Sequence, residues 1–214
     1  MIFRRLLFII PTLLVLFFAS CENGNSVDDI PKTTIATDTT LTEEERAFKE
    51  INELLKTDVN NTGLYLRRAR LYQKYGDFNA AVNDLNRAIK IDSLIPEFYL
   101  LKAELLKSQD KFKEAKEVLD KCMYVDNDNV QARVELGWLA LYTYNHKQAL
   151  DYADAALKRD MYNAEAYYLK GMIFLDKKDS ALAKSSFKTA VEQENDYYSA
   201  YIQLGLLYFY DESN

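Results

Sequence analysis

The chain has 214 residues, of which 49% are hydrophobic and 28% are charged, so we expect one ordinary domain or a short repeat array. It contains only 6 glycines and 3 prolines, which argues against an all-β protein with many tight turns. The formal net charge of −6 argues against the basic surface of a nucleic-acid-binding protein, and we expect no nucleic-acid partner.

Residues 1–20 have the features of an export signal. Arg4 and Arg5 provide a positive start, and an apolar run follows from Leu6 to Phe18. This run is shorter than the about 20 residues of a membrane-spanning helix but is typical of a signal peptide. Cleavage after Ser20 would remove both arginines and no acid, which makes the mature chain two charges more acidic.

The end of this segment is similar to a lipoprotein cleavage site. Phe18-Ala19-Ser20-Cys21 resembles the lipobox of bacterial lipoproteins, with Phe18 where Leu is usual. The resemblance implies lipid attachment at Cys21 and anchoring in the bacterial cell envelope, for which we expect the outer membrane. An ordinary signal peptide with a chance cysteine is the alternative.

The segment 21–41 is polar and lacks helical or strand periodicity, so we expect a disordered tether. As a flexible coil it would span about 25 Å on average. The folded part would then stand away from the membrane surface.

The rest of the chain repeats with one period. Ala47, Ala81, Ala115, Ala149 and Ala183 are each separated by 34 residues, without insertion. Three further columns keep that spacing: Ala88, Cys122, Ala156 and Ala190; Ala69, Ala103, Gly137, Gly171 and Gly205; and Tyr65, Tyr99, Arg133, Tyr167 and Tyr201. A fixed period of this size is typical of repeat proteins.

These columns resemble the tetratricopeptide repeat, in which each unit is a helix A, a tight turn and a helix B. The resemblance implies an all-α solenoid of helical hairpins, wound as a right-handed superhelix, over residues 42–214. Its expected divisions are a half repeat at 42–61, full repeats at 62–95, 96–129, 130–163 and 164–197, and a half repeat at 198–214. Gly76-Asp77-Phe78 is similar to the family's turn.

Residues typical of helix N-termini stand where two of these helices are expected to begin. Thr42 and Glu45 have the spacing of a capping box, and Pro96 suits the first turn of a helix. The family's proline near the repeat junction is absent, so we expect the chain to turn there with less rigid corners. The cluster Arg67, Arg68 and Arg70 is interpreted as a solvated helix face.

Small residues recur at helical spacing, which predicts the interior of the array. Ala81, Leu85 and Ala88 lie on one face of a predicted helix. Cys122 falls in the small-residue column and is expected to be a core residue, so we predict no disulfide.

The resemblance also implies where a partner binds. In the family, A helices line a concave groove that holds a peptide or a helix. The matching positions are polar in the first repeats and aromatic in the later ones, and the candidate groove residues are Arg70, Glu104, Trp138, Tyr142, Tyr168, Met172 and Phe209. The basic clamp with which some members bind a C-terminal carboxylate is absent, since its positions hold Leu66, Arg70, Leu101, Gln131 and Glu135.

Nothing in the sequence indicates catalysis, a metal site or a cofactor. The only histidine, His146, lies in a predicted turn without a second ligand and is expected to be solvated. We therefore expect a membrane-anchored scaffold that binds protein partners. One alternative is a homodimer formed through the apolar helix at 198–214, and another is a glycan-binding outer-membrane lipoprotein.

Overall fold

A computed structural model describes residues 41–212, and the side chains of 41–209. The predicted signal peptide, Cys21 and nearly all of the predicted tether lie outside this range. The described residues form helices and no strand. The helices are α1 (Glu43–Thr57), α2 (Thr62–Lys74), α3 (Phe78–Ile91), α4 (Pro96–Lys107), α5 (Phe112–Val125), α6 (Val130–Tyr142), α7 (His146–Leu157), α8 (Ala164–Asp176), α9 (Ser180–Gln193) and α10 (Tyr198–Glu212).

Neighbouring helices pair as hairpins. The closest pairs are α2 with α3, α4 with α5, α6 with α7, and α8 with α9, and each hairpin contacts the next through its second helix. Helix α1 packs on α2, and α10 packs on α9. The prediction of an all-α solenoid of helical hairpins is confirmed.

The small-residue columns form the interior. Ala81, Ala115, Ala149 and Ala183 have no exposed surface, and Cys122 is fully buried as predicted. Ala47, the first member of the alanine column, is only half-buried, because no helix precedes α1 among the described residues.

Gly137 allows α6 and α8, of two neighbouring hairpins, to approach closely, and Gly171 allows α8 and α9, of one hairpin, to do so. A Cβ atom added at Gly137 would lie 2.6 Å from Cδ2 of Leu169, and one at Gly171 would lie 2.3 Å from the Phe187 ring. Gly205 belongs to the same column, but a Cβ atom there would meet nothing within 4 Å.

The turn inside each hairpin uses one left-handed residue. These residues are Gly76, Asp110, Tyr144 and Lys178, with φ of 79°, 58°, 56° and 62°. They are 34 residues apart, but only the first is a glycine, the residue that adopts this conformation without strain. The turn is therefore set by its place in the hairpin rather than by local preference.

Side chains hold the junctions between hairpins in place of the absent proline. Asp126 accepts a hydrogen bond from the backbone N–H of Asp128 (3.1 Å) and another from the amide of Asn129 (2.9 Å). Asn129 in turn caps α6 by accepting from the N–H of Ala132. Asp160 and Asn163 repeat this arrangement before α8. These Asp and Asn residues supply the turn and the cap that a repeat junction needs.

In three hairpins, a side chain near the start of the first helix donates a hydrogen bond to the preceding junction. The Tyr65 hydroxyl donates to the carbonyl of Val59 (3.1 Å), and the Tyr99 hydroxyl donates to that of Ser93 (2.9 Å). Arg133 stands in the same column and donates to the carbonyl of Asn127. Arginine can replace tyrosine here because both carry a donor at the end of a long side chain.

Arg68 corrects the interpretation of the arginine cluster. Its Nε and Nη2 atoms each lie 2.7 Å from an oxygen of Asp84, a buried residue of α3, and its Nη1 donates to Asn52 of α1. Only 19% of the Arg68 side chain is exposed, so it is not a solvated residue. Arg67 and Arg70 remain exposed and form surface ion pairs with Glu50 and Glu97.

Candidate functional site

Predicted groove residues of neighbouring hairpins contact one another. Arg70 of α2 forms an ion pair with Glu97 of α4 at 2.5 Å, and Glu104 of α4 accepts a hydrogen bond from Gln73 of α2 at 2.7 Å. Lys107 of α4 pairs with Glu135 of α6. These contacts place the first helices of the hairpins side by side on one surface, whose N-terminal part is polar.

The C-terminal part of this surface is aromatic. The rings of Trp138 and Tyr168 have centroids 5.8 Å apart, and Tyr168 also contacts Tyr197 (5.3 Å) and the buried Phe187 (5.5 Å). Tilted rings at these distances attract one another. Trp138 and Tyr168 are both half-buried, and each packs against at least one other aromatic ring.

An open cleft of about 430 Å³ lies beside Trp138. Its walls are formed by α6, the turn that follows it, and the end of α8. The lining residues are Trp138, Leu141, Tyr142, Tyr144, Met172, Leu175 and Asp176. A mostly apolar cleft with a carboxylate at its edge can hold a bulky apolar side chain.

A second cleft of about 410 Å³ adjoins the first and shares Tyr142 with it. Glu104, Lys107, Ser108, Asp110 and Phe112 complete its lining. Tyr142 is 60% exposed and contacts the Phe112 ring, with centroids 5.7 Å apart. Five predicted groove residues, Glu104, Trp138, Tyr142, Tyr168 and Met172, therefore lie in or beside the two clefts.

Glu165, the second residue of α8, contributes a carboxylate to this surface. Glu165 accepts a hydrogen bond from Nε1 of Trp138 (3.3 Å) and another from Nε2 of Gln131 (3.1 Å). Burial raises the pKa of Tyr197 above its ordinary value, and the nearby charge of Glu165 raises this pKa further. The negative charge of Glu165 therefore acts on Tyr197, which packs against Tyr168.

His146 departs from the expectation of a solvated turn residue. It begins α7, is half-buried, and its Nε2 lies 2.5 Å from Oδ2 of Asp176 at the edge of the Trp138 cleft. This contact joins α7 to the end of α8.

Two aromatic residues of the clefts were missed by sequence reasoning. Tyr144 is the left-handed turn residue, and Phe112 begins α5. Neither occupies a position that faces the groove in related repeats. Tyr144 is aromatic at a turn position, where polar residues are usual, and Phe112 stands 34 residues after Phe78 of the turn motif; these two signals could have identified them.

Two of the predicted residues lie apart from the clefts. Arg70 is near the polar end of the surface, and Phe209 is on α10. Phe209 is exposed and lines neither of the two clefts described above.

Two other features are absent from the described residues, 41–212. No helix there is long and apolar enough to cross a membrane. Among residues 41–209, whose side chains the structure describes, no three side chains of His, Cys, Asp or Glu are grouped so that they could hold a metal ion.

Family models described as tetratricopeptide repeat match residues 62–93, 96–129 and 134–205, which together make up more than half of the chain. No curated protein matches it.

Solved structures share the fold. The crystal structure of MamA is 21% identical with a TM-score of 0.60, covering 73% of this chain and 85% of that one. YrrB, described as a repeat protein with an unusual peptide-binding site, is 22% identical with a TM-score of 0.56, covering 76% and 84%. PilF of Pseudomonas aeruginosa is 18% identical with a TM-score of 0.64, covering 71% and 69%.

Proposed function

Because the chain belongs to the tetratricopeptide-repeat family, we propose that it is a non-catalytic scaffold that binds a protein partner in the groove formed by α4, α6 and α8. The observation that carries this proposal is the open cleft beside the half-buried Trp138, whose other aromatic side chains, Tyr142 and Tyr144, are exposed to a partner. Aromatic anchors in partly enclosed pockets are the usual hot spots of protein interfaces. The description of YrrB as peptide-binding agrees with this use of the fold.

The proposal includes a membrane location. The similarity of Phe18-Ala19-Ser20-Cys21 to a lipobox supports lipid attachment at Cys21 and anchoring in the bacterial cell envelope, with the outer membrane as the expected site. Several acyl chains on one residue would give stable anchoring. Metabolic labelling with an alkyne fatty acid tests this: the wild type should be labelled, and label on a Cys21→Ala variant would contradict the assignment.

The test of the scaffold role is capture of partners from solubilised membranes. The tagged wild-type protein is compared with a Trp138→Arg, Tyr168→Glu double variant, with circular dichroism as the check that the variant folds. We expect at least one protein to be captured by the wild type and lost with the variant. Identical capture by both proteins would contradict a role for the groove.

Self-association is a second candidate, because α10 presents a large apolar surface. The side chains of Tyr198, Ile202 and Phe209 are mostly exposed on this helix. An apolar patch of this kind often marks an interface. The molar mass of the purified protein tests it: a dimer that is lost in Ile202→Glu supports this role, and a monomer at high concentration excludes it.

A further inference from the structure

The carboxylates of the groove fall into two groups. Glu97 and Glu135 face cations, Arg70 and Lys107. Glu104 and Glu165 instead accept from neutral donors: Glu104 from the amide of Gln73, and Glu165 from the indole N–H of Trp138 and the amide of Gln131. No lysine or arginine in residues 41–209 forms an ion pair with Glu165, so its charge is not balanced by a neighbouring side chain.

Glu165 has room for a further donor. An ionised carboxylate offers about four acceptor sites, and the two neutral donors use one site on each oxygen. The half-buried rings of Trp138 and Tyr168 lie beside it. A cation held there would gain both an ion pair in a partly desolvated site and contact with the indole, the aromatic ring that attracts cations most strongly.

The distance from Glu165 to the apolar cleft fits a short peptide. Glu165 and Met172 lie on the same helix, α8, seven residues apart. At about 1.5 Å of rise per residue, they are about 10 Å apart along the helix axis. An extended peptide advances about 3.3 Å per residue, so about three residues cover this distance.

We propose that the groove recognises a basic and apolar peptide segment, with an arginine or lysine against Glu165 and a bulky apolar side chain in the Trp138 cleft about three residues away. This inference rests on the proposed function and defines the chemistry of its partner. The net charge of −6 also favours the approach of a basic segment.

The test uses synthetic peptides and the purified full-length protein. The probe is acetyl-Gly-Ser-Arg-Ser-Ser-Phe-Ser-Gly-amide, which has the arginine and the phenylalanine three residues apart. Since Trp138 is the only tryptophan, its fluorescence reports on the site directly, and titration calorimetry gives the dissociation constant. We expect binding that weakens about tenfold when the arginine of the peptide is replaced by glutamate, because a charge-assisted hydrogen bond is lost.

Two protein variants separate the charge of Glu165 from its shape. Glu165→Gln keeps the size of the side chain, and we expect it to remove most of the preference for arginine over glutamate in the peptide. Glu117→Gln removes an exposed carboxylate of α5 and should leave that preference unchanged. No binding of the probe up to about 2 mM, or equal binding of the arginine and glutamate peptides, would overturn the inference.

The capture experiment distinguishes failure of this inference from failure of the scaffold role. A captured protein that is lost with Trp138→Arg, Tyr168→Glu but retained by Glu165→Gln would leave the groove as the binding site and overturn its basic specificity. Loss with both variants, together with the expected peptide preference, supports both proposals.

Discussion

Gly171 and Gly205 occupy the same column of the repeat but differ in what a methyl group would meet. Gly171→Ala would place Cβ against the ring of the fully buried Phe187, so we expect the free energy of unfolding to fall by about 1–3 kcal/mol. Gly205→Ala adds its methyl group to open space on a helix, and we expect a gain of about 0.5–1 kcal/mol. Urea unfolding of both variants measures this, and equal effects would contradict the packing described at Gly171.

Arg68 and Arg67 are adjacent but have different surroundings. Arg68→Met would leave the buried carboxylate of Asp84 without its bidentate partner, and we expect a loss of about 3 kcal/mol or more. Arg67→Met breaks a pair in which both side chains are more than half exposed, and it should cost less than about 1 kcal/mol. Chemical denaturation of the two variants gives the comparison. Similar losses would show that Arg68 behaves as the surface residue that the sequence suggested.

Cys122 provides a prediction about pH. Burial raises the pKa of its thiol from 9.0 to about 11. Between those values the unfolded chain has already lost the thiol proton while the folded protein keeps it, so raising the pH through this window favours unfolding. Cys122→Ala, which matches the alanines at the same place in other repeats, removes this contribution. We expect the stability of the wild type to fall relative to this variant between pH 9 and pH 11, and parallel curves would contradict it.

The hairpin turns give a prediction for an element rather than a residue. Lys178 holds a left-handed conformation with φ of 62°, which costs a side-chain-bearing residue about 1 kcal/mol. Lys178→Gly relieves this strain, and we expect a net gain of up to about 1 kcal/mol after the entropy of the unfolded chain is counted. Lys177 next to it has φ of −73°, so Lys177→Gly should be destabilising. A loss of thermal stability in Lys178→Gly would contradict this account of the turn.

The helices were predictable because their causes are local or periodic. The Thr42–Glu45 capping box, Pro96 at the start of α4, and the buried alanine columns are all found as the spacing indicated. The junctions were less predictable. Their turns depend on hydrogen bonds such as that between Asp126 and Asn129, at a place where the family has a proline that this sequence lacks.

Contacts between helices were the hardest to foresee. The pair of Arg68 with Asp84 and the contact of His146 with Asp176 join residues far apart in sequence, and no local pattern specifies them. The clefts depend likewise on Tyr144 and Phe112, whose places are fixed only once the hairpin turn and its neighbour are packed. The packing of the hairpins therefore decides the shape of the clefts, which residue spacing along the chain does not specify.

On the scale of the whole molecule, two exposed tyrosines differ in whether they lie at the groove. The groove side carries Tyr142, which is 60% exposed beside both clefts. Tyr124, near the end of α5, is 92% exposed and lines neither of those clefts. The two tyrosines are thus a matched pair for asking which surface a partner touches.

The most direct test is photo-crosslinking in the source cells, with benzoylphenylalanine placed at Tyr142 or at Tyr124 of the full-length protein. If the groove is the binding surface, irradiation should yield a crosslinked partner from position 142 and little or none from position 124. The Glu165→Gln change in the Tyr142 protein should then reduce that product. A partner crosslinked from position 124 but not from 142 would contradict the central claim that this protein binds its partners in the groove.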